Sequence, residues 1–327
     1  MPIEKIGPIE ILIGENNSKV PFSTSLLLNG VKESTLIDCG GGKTVFDYLK
    51  KKNIAEIYLT HYHLDHIWGA YLFPNAEISI NPYDLKKISD PHELAKASGL
   101  YALYGEKEAD RWMEQQLNKP ETDELKLRWQ PVLGITNRIF PYEKPIEVGG
   151  TTMTILHTPG HTEGYCSPYF PEYGVFYAGD FDLTSFGPWY NDADSDIDQF
   201  FKSAQRTLEV DAKYYVTGHH KGTFERSEYE QRLSVYMDKI HEREENTKTA
   251  IQKGVLPKDI VYQEIFYLLK NHRQHRRHMG PEVLGIAKHI QHLIKQGYPF
   301  EDYFHHFADC HSLQTDWLNY RSKPEIT

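Results

Sequence analysis

The sequence contains little cysteine and no long apolar run. Its three cysteines (Cys39, Cys166 and Cys310) are far apart and form no CxxC pair, so neither a disulfide framework nor a thiolate zinc knuckle is expected. No apolar run approaches the roughly 18 to 20 residues that cross a bilayer. The first ten residues lack the charged segment and following apolar segment of a secretion signal. We therefore expect a cytoplasmic protein without membrane contact.

Positive charge is scarce relative to negative charge. The 36 Lys and Arg against 46 Asp and Glu give a formal net charge of −10. Broad nucleic-acid binding depends on neutralising phosphates, so no nucleic-acid partner is expected and a small-molecule substrate is favoured. The hydrophobic fraction of 39% and the aromatic fraction of 13% are sufficient for a core, which argues against wholesale disorder. The oligomeric state stays open, a homodimer included.

The order of apolar runs along the 327 residues predicts an α/β protein. Short strand-like runs alternate with helical spacing over the first 80 residues, which is typical of a sheet covered by helices. Residues 81–144 are mostly helical in pattern and are predicted to form an insertion, which serves either as a substrate wall or as packing. Strand-like runs resume at 145–148 and end at 213–217. We expect a catalytic domain over 1–226 and a C-terminal helical region over 227–327.

One short motif points to metal chemistry. His61, His63, Asp65 and His66 occur within six residues, directly after a strand-like run. Such a cluster arises by chance on the order of once in several hundred chains of this composition. The first two histidines are two residues apart in an extended segment and can point the same way, while Asp65 and His66 can face a second point nearby. The spacing therefore suggests two metals side by side.

Four further candidates each follow a strand-like run and lie beside a glycine, a proline or a cysteine. They are Asp38, His161, Asp180 and His219. In α/β sheets the edge formed by the carboxyl ends of the strands is where sites are assembled. His219 is followed by His220, so the sequence leaves open which of these two is a ligand and which lies behind it.

The ordered series of Asp38, the HxHxDH motif, His161, Asp180 and His219 resembles the metallo-β-lactamase superfamily, and within it the glyoxalase-II-like hydrolases. The resemblance covers roughly residues 1–225 and implies an αββα sandwich with a dinuclear site at one edge. It implies that His61, His63 and His161 hold one metal. It implies that Asp65, His66 and His219 hold the other, that Asp180 bridges both, and that Asp38 supports the ligand loop by hydrogen bonding.

The ligand set implied by this resemblance defines a reaction. A metal-bridging hydroxide would attack a carbonyl or phosphoryl centre, because two cations lower the pKa of bound water from about 15.7 to roughly 7. Asp65 would orient it or pass a proton to the leaving group. Histidine and carboxylate ligands without thiolate suit zinc and also accommodate iron or manganese.

Several residues near these motifs are candidates for the substrate pocket. Trp68 stands where the family usually has a small glycine, and Trp189, Phe181 and Tyr190 follow the bridging aspartate, either lining the pocket or packing in the core. The alternating aspartates at 192, 194, 196 and 198 lack the glycine and glutamate of a calcium loop, so we expect a solvated loop and a helix start. The basic cluster at 272–278 is either a polar helix end or an anion clamp.

The combined prediction is a dinuclear metal-dependent hydrolase that acts on a small ester-like compound, a thioester or a lactone. Two alternatives stay open. One is an endoribonuclease or phosphodiesterase, which the net charge of −10 disfavours. The other is a mononuclear iron dioxygenase acting on a persulfide, which the motif alone does not exclude.

Overall fold

A computed structural model describes residues 3–118, 138–220, 222–267 and 279–325. Within these ranges the strands form two mixed sheets. The strands of the first sheet are β1 (Ile3–Ile6), β2 (Ile9–Leu12), β3 (Ser25–Asn29), β4 (Ser34–Ile37), β5 (Ile54–Leu59), β6 (Glu77–Ile80) and β7 (Arg138–Ile139). Those of the second are β8 (Pro145–Val148), β9 (Thr151–His157), β10 (Cys166–Phe170), β11 (Val175–Gly179), β12 (Tyr214–Thr217) and β13 (Thr223–Glu225).

The helices cover the outer faces of the two sheets. Those before the second sheet are α1 (Glu15–Ser18, a single turn), α2 (Lys43–Leu49), α3 (Leu64–Ile67), α4 (Leu85–Ser89), α5 (Pro91–Ala97), α6 (Leu100–Tyr104) and α7 (Glu106–Leu117). Those that follow are α8 (Ile197–Glu209), α9 (Arg226–Gln252), α10 (Met279–Lys295) and α11 (Glu301–His311). Short 3₁₀ turns lie at Ala70–Leu72, Ile260–Tyr262 and Thr315–Trp317 in the described part of the chain.

Alternation of side chains along the strands produces the layers. In β3, Leu26 and Leu28 pack into the cluster between the sheets, while Leu27 packs into the cluster under the helices, because successive side chains of a strand point to opposite faces. Apolar residues of α2 complete this first outer layer. The second outer layer joins the second sheet to α8, α9, α10 and α11. The result is the αββα sandwich that the resemblance implied.

Parallel strand pairs place the functional loops at one edge. The first sheet has the order β1 to β7, with β4, β5 and β6 parallel to one another. The second sheet has the order β13-β12-β11-β10-β9-β8, with β11 parallel to β12. The carboxyl ends of parallel neighbours meet at the same edge, so the loops that follow β4, β5, β11 and β12 lie close together.

The predicted insertion and appendage both contain helices in their described parts. Helices α4 to α7 fall within the insertion predicted at 81–144. Helices α10 and α11 fall within the predicted C-terminal region at 227–327, and α9 begins one residue before it, at Arg226. Because α9 and α10 share one apolar cluster with the second sheet, they extend its core. The boundary at residue 226 stays a prediction.

Candidate metal centre

Seven side chains from both sheets converge where the strands end. They form two groups in which one donor atom of each residue lies within 4.8 Å of the others; the first contains His61, His63, His161 and Asp180, and the second contains Asp65, His66 and His219. The loop after β5 supplies four of these residues and the second sheet supplies three. The structure therefore brings together all seven candidate ligands named from the sequence.

The first group has the geometry of a cation site. His161 Nε2 lies 3.0 Å from His63 Nδ1 and 3.0 Å from Asp180 Oδ2. His61 Nε2 lies 3.9 Å from the same Asp180 oxygen, and it is buried without a hydrogen-bond partner. Leaving a buried polar atom unpaired costs free energy, so a cation bound between these atoms fits the residues present.

The second group lies on the other oxygen of the same carboxylate. Asp180 Oδ1 is 2.9 Å from His66 Nε2 and 3.7 Å from His219 Nε2. The two imidazole nitrogens face each other at 3.3 Å, and Asp65 Oδ2 is 3.5 Å from His219 Nε2. Asp180 thus stands between two sets of donors, and each set suits a divalent cation.

The electrostatics of the centre favour the metal-binding forms of two of its side chains, Asp180 and His61. Burial opposes ionisation of Asp180, but the imidazoles of His66, His161 and His219 hold the pKa of its carboxyl well below the usual range. Burial also lowers the pKa of His61 well below its ordinary value. At neutral pH the carboxyl is therefore ionised and the His61 imidazole is neutral, as metal ligands must be. Burial opposes protonation of His66 and His219, but the Asp180 carboxylate raises the pKa of both rings, so each would release a proton when a cation binds.

The sequence profile of the Metallo-beta-lactamase superfamily matches residues 19–219, which is more than half of the chain. The chain belongs to the metallo-β-lactamase superfamily. Members of this superfamily are generally hydrolases, and its profile spans the whole ligand series described above.

Solved structures show the same fold. A metallo-β-lactamase family protein from Thermus thermophilus is 20% identical, with a TM-score of 0.61 over 89% of this chain and 94% of that chain. A β-lactamase domain protein from Burkholderia ambifaria is 15% identical, with a TM-score of 0.60 over 90% of this chain and 88% of that chain. None of the described helices has the length and apolar character needed to cross a bilayer.

Asp38 supports the second group of this metallo-β-lactamase centre. Its Oδ2 lies 2.7 Å from His66 Nδ1, and its two oxygens accept bonds from the amide and hydroxyl of Thr60 at 2.8 and 2.9 Å. His219 is held separately, because its Nδ1 lies 2.9 Å from the carbonyl oxygen of Ser18 and 3.0 Å from that of Phe22. In both histidines Nδ1 is engaged and Nε2 faces the centre.

Asp192 and Asp194 are buried, which corrects the prediction that this series is a solvated loop. Asp192 Oδ2 lies 2.9 Å from His63 Nε2. Asp194 binds the buried ammonium of Lys87 at 2.7 Å and accepts from the Tyr62 hydroxyl at 3.1 Å. The helix start was predicted correctly, since Asp196 caps α8. Sequence reasoning missed the two buried aspartates because their partners lie more than 100 residues away.

A cavity of about 1120 Å³ opens over the centre. Its described lining includes Trp189, one of the four candidate pocket residues, but not Trp68, Phe181 or Tyr190. Trp68 is only 4% exposed and packs edge-on against Phe46 at 4.9 Å. Phe181 and Tyr190 belong to the core cluster of the second sheet. Their large apolar surfaces are buried in the core.

The structure distinguishes the two adjacent histidines. His219 is 2% exposed and belongs to the second donor group. His220 is exposed, has a φ of 60°, lines the cavity, and is in neither donor group found among the described residues. The basic cluster at 272–278 lies outside the described residues.

Proposed function

We propose that the protein is a dinuclear metal-dependent hydrolase of the glyoxalase-II-like kind, which cleaves a thioester or a lactone. The observation that carries this proposal is the position of Asp180 between two donor groups, with one oxygen facing each. A site for a single ion would leave three of the seven donors without a role, since a zinc site usually takes about four ligands.

The proposed assignment gives each position ligands from both sheets. His61, His63 and His161 would hold one divalent ion, Asp65, His66 and His219 the other, and Asp180 would bridge them. The donor set suits zinc, with iron or manganese as alternatives. Ions held there would supply an activated water as the nucleophile and polarise the carbonyl under attack.

The chain's own groups complete the proposed reaction. Asp65 lines the cavity and its Oδ2 lies 3.5 Å from His219 Nε2, so that oxygen faces the second donor group. Its other carboxylate oxygen can accept the proton that the attacking water loses and deliver it to the departing thiol or alcohol. The side chains of His61 and His66 are wholly buried, so they keep other water molecules away from the donor groups.

The cavity walls support an ester with an apolar acyl group. Leu94, Leu183, Phe186 and Val235 line it, and such surfaces favour removal of apolar groups from water. Among the described lining residues, Arg232 carries the single guanidinium or ammonium group, and Glu228 already pairs with it at 2.7 Å. A polyanionic RNA strand would find little positive charge here, which favours the ester over the phosphodiester.

Metal analysis and a substrate panel test the proposal. Protein purified without added metal is expected to contain about two ions per chain. It should hydrolyse thioesters or lactones, lose that activity with a chelator and regain it with zinc. His161→Ala and His219→Ala should each bind about one ion fewer. One iron per chain with no hydrolysis would favour the dioxygenase, and cleavage restricted to phosphodiesters would favour the nuclease.

A further inference from the structure

The segment 186–192, here called the clamp segment, contacts two histidines of the first donor group. His161 Nδ1 lies 2.9 Å from the carbonyl oxygen of Trp189. His63 Nε2 lies 2.9 Å from Asp192 Oδ2. The same carboxylate oxygen accepts a hydrogen bond from the Trp189 indole at 3.1 Å, so one tryptophan is connected to both ligands.

These contacts decide which nitrogen of each ring is available as a ligand. A carbonyl oxygen and a carboxylate both accept hydrogen bonds, so His161 presents N–H at Nδ1 and His63 presents N–H at Nε2. The opposite nitrogens, His161 Nε2 and His63 Nδ1, then carry lone pairs, and these two atoms are 3.0 Å apart. The clamp segment thus aims both lone pairs at one point.

The C-terminal helices hold the clamp segment in place. Arg243 of α9 is 3% exposed and donates to the carbonyl oxygens of Phe186 and Pro188, the latter at 2.8 Å. Asn191 Nδ2 donates to the carbonyl oxygen of Pro281 in α10 at 2.7 Å. The Tyr190 hydroxyl lies 2.9 Å from His289 Nε2, also in α10. Both helices follow residue 219, where the superfamily match ends.

The second donor group has different supports. Its histidines are held by Asp38 and by the carbonyl oxygens of Ser18 and Phe22, all of which come from the first 40 residues. The two donor groups share Asp180, but their outer hydrogen bonds come from separate parts of the chain. A change in one support can therefore alter one metal position and spare the other.

We propose that helices α9 and α10 set the metal affinity of the three-histidine position through the clamp segment, with Asp192 as the positioning residue for His63. This inference rests on the proposed dinuclear centre. Asp192 acts through His63 and holds its ring in the tautomer that binds metal at Nδ1. Arg243 acts one step further out, by holding the backbone on which Trp189 and Asp192 depend.

Stepwise zinc titration against a chromophoric chelator tests this assignment. Asp192→Ala and Arg243→Met are expected to weaken one of the two binding steps by about 10- to 100-fold, the usual effect of losing an outer-shell partner, and to leave the other unchanged. Asp192→Asn should weaken it less, because an amide oxygen still accepts from His63 and Trp189. His161→Ala and His219→Ala, titrated in parallel, identify which step belongs to which position.

Two controls separate positioning from general destabilisation. Asp198→Asn changes a carboxylate in the same aspartate series that pairs with His292 at 3.0 Å, and its zinc affinities should match those of the parent. Asp38→Asn should weaken the other binding step. Urea unfolding of the metal-free variants measures stability independently; if Arg243→Met does not fold, Arg243→Lys and the Asp192 variants carry the test.

The outcomes are distinct. Selective loss of the step assigned to His161 supports the inference. Equal weakening of both steps, or unchanged zinc affinities in Asp192→Ala, overturns it while leaving the dinuclear centre intact. A parent protein that binds no zinc overturns both this inference and the proposed function.

Discussion

Gly40 permits a close backbone approach that positions Asp65, and its substitution gives a sharp test of the site. A β-carbon at residue 40 would lie 1.5 Å from the carbonyl oxygen of Asp65 and 2.3 Å from Ser23 Oγ. Carbon and oxygen atoms in close contact remain about 3.3 Å apart, so in Gly40→Ala the Asp65 carbonyl must retreat by about 1.8 Å. The neighbouring bond from Cys39 N to His66 O, now 2.6 Å, would be disrupted by that movement.

The expected magnitude follows from the size of this displacement. Overpacking costs about 1–3 kcal/mol of unfolding free energy, and a misplacement of about 1 Å can cost about 100-fold in rate. Gly40→Ala should therefore lose at least that factor in kcat/KM and bind zinc more weakly at the position of Asp65 and His66. Urea unfolding of metal-free protein, zinc titration and hydrolysis of the best ester substrate measure the three effects.

Gly150→Ala is the matched control. Gly150 lies in the turn between β8 and β9, its φ is 82°, and an added β-carbon there would meet no atom within 4 Å, so this variant strains the backbone without displacing a ligand loop. Hydrolysis and zinc affinity close to the parent values are expected for this control. If Gly40→Ala also kept parental zinc affinity and rate, the contact between the loop after β4 and the ligand loop would not position Asp65.

Three further predictions concern stability and specificity. Lys87→Met should lower the unfolding free energy by about 3–5 kcal/mol, because it leaves the buried carboxylate of Asp194 uncompensated. The control Lys43→Met breaks an exposed pair and should change the unfolding free energy in urea little. Equal effects of the two substitutions would contradict this reasoning. Trp68→Ala should lower the unfolding free energy by about 3–5 kcal/mol, because it leaves a cavity in the core. Relative hydrolysis rates across esters of increasing acyl size should not change, and a shift in preference toward larger acyl groups would show that Trp68 lines the substrate pocket. Burial, with a nearby arginine, lowers the pKa of Lys288 from 10.5 to about 8. Between these two pH values the unfolded chain binds more protons than the folded chain, so the unfolding free energy of the parent should rise with pH relative to that of Lys288→Met. A difference in unfolding free energy between parent and variant that does not change with pH would refute the shift.

The ligand series was predictable because its signals are local. The HxHxDH motif follows a strand, and Asp180 and His219 each lie within two residues of a strand end. A strand followed by polar residues beside glycine can be recognised without knowing the partner strands. The edge on which the ligands meet follows from the same strand ends, whereas the order of the layers was implied by the family resemblance.

The outer supports were not predictable because they depend on distant contacts. Asp192 is 129 residues from His63, and Arg243 is 57 residues from Phe186. Nothing in the local sequence around Asp192 separates a buried carboxylate from a solvated one. Trp68 illustrates the reverse case, since its nearness to the motif suggested a pocket role, while its ring is buried against Phe46 and is not among the described lining residues of the cavity.

The division of ligands between the two sheets has a consequence for how the protein matures. Each proposed metal position takes donors from the loop after β5 and from loops of the second sheet, so neither is complete until the sheets have docked. Binding of metal is then part of the free energy of folding; at free metal 1,000-fold above Kd it would add about 4.1 kcal/mol. Metal binding would therefore come late in folding, and it would stabilise chains whose sheets have docked but not partly folded chains.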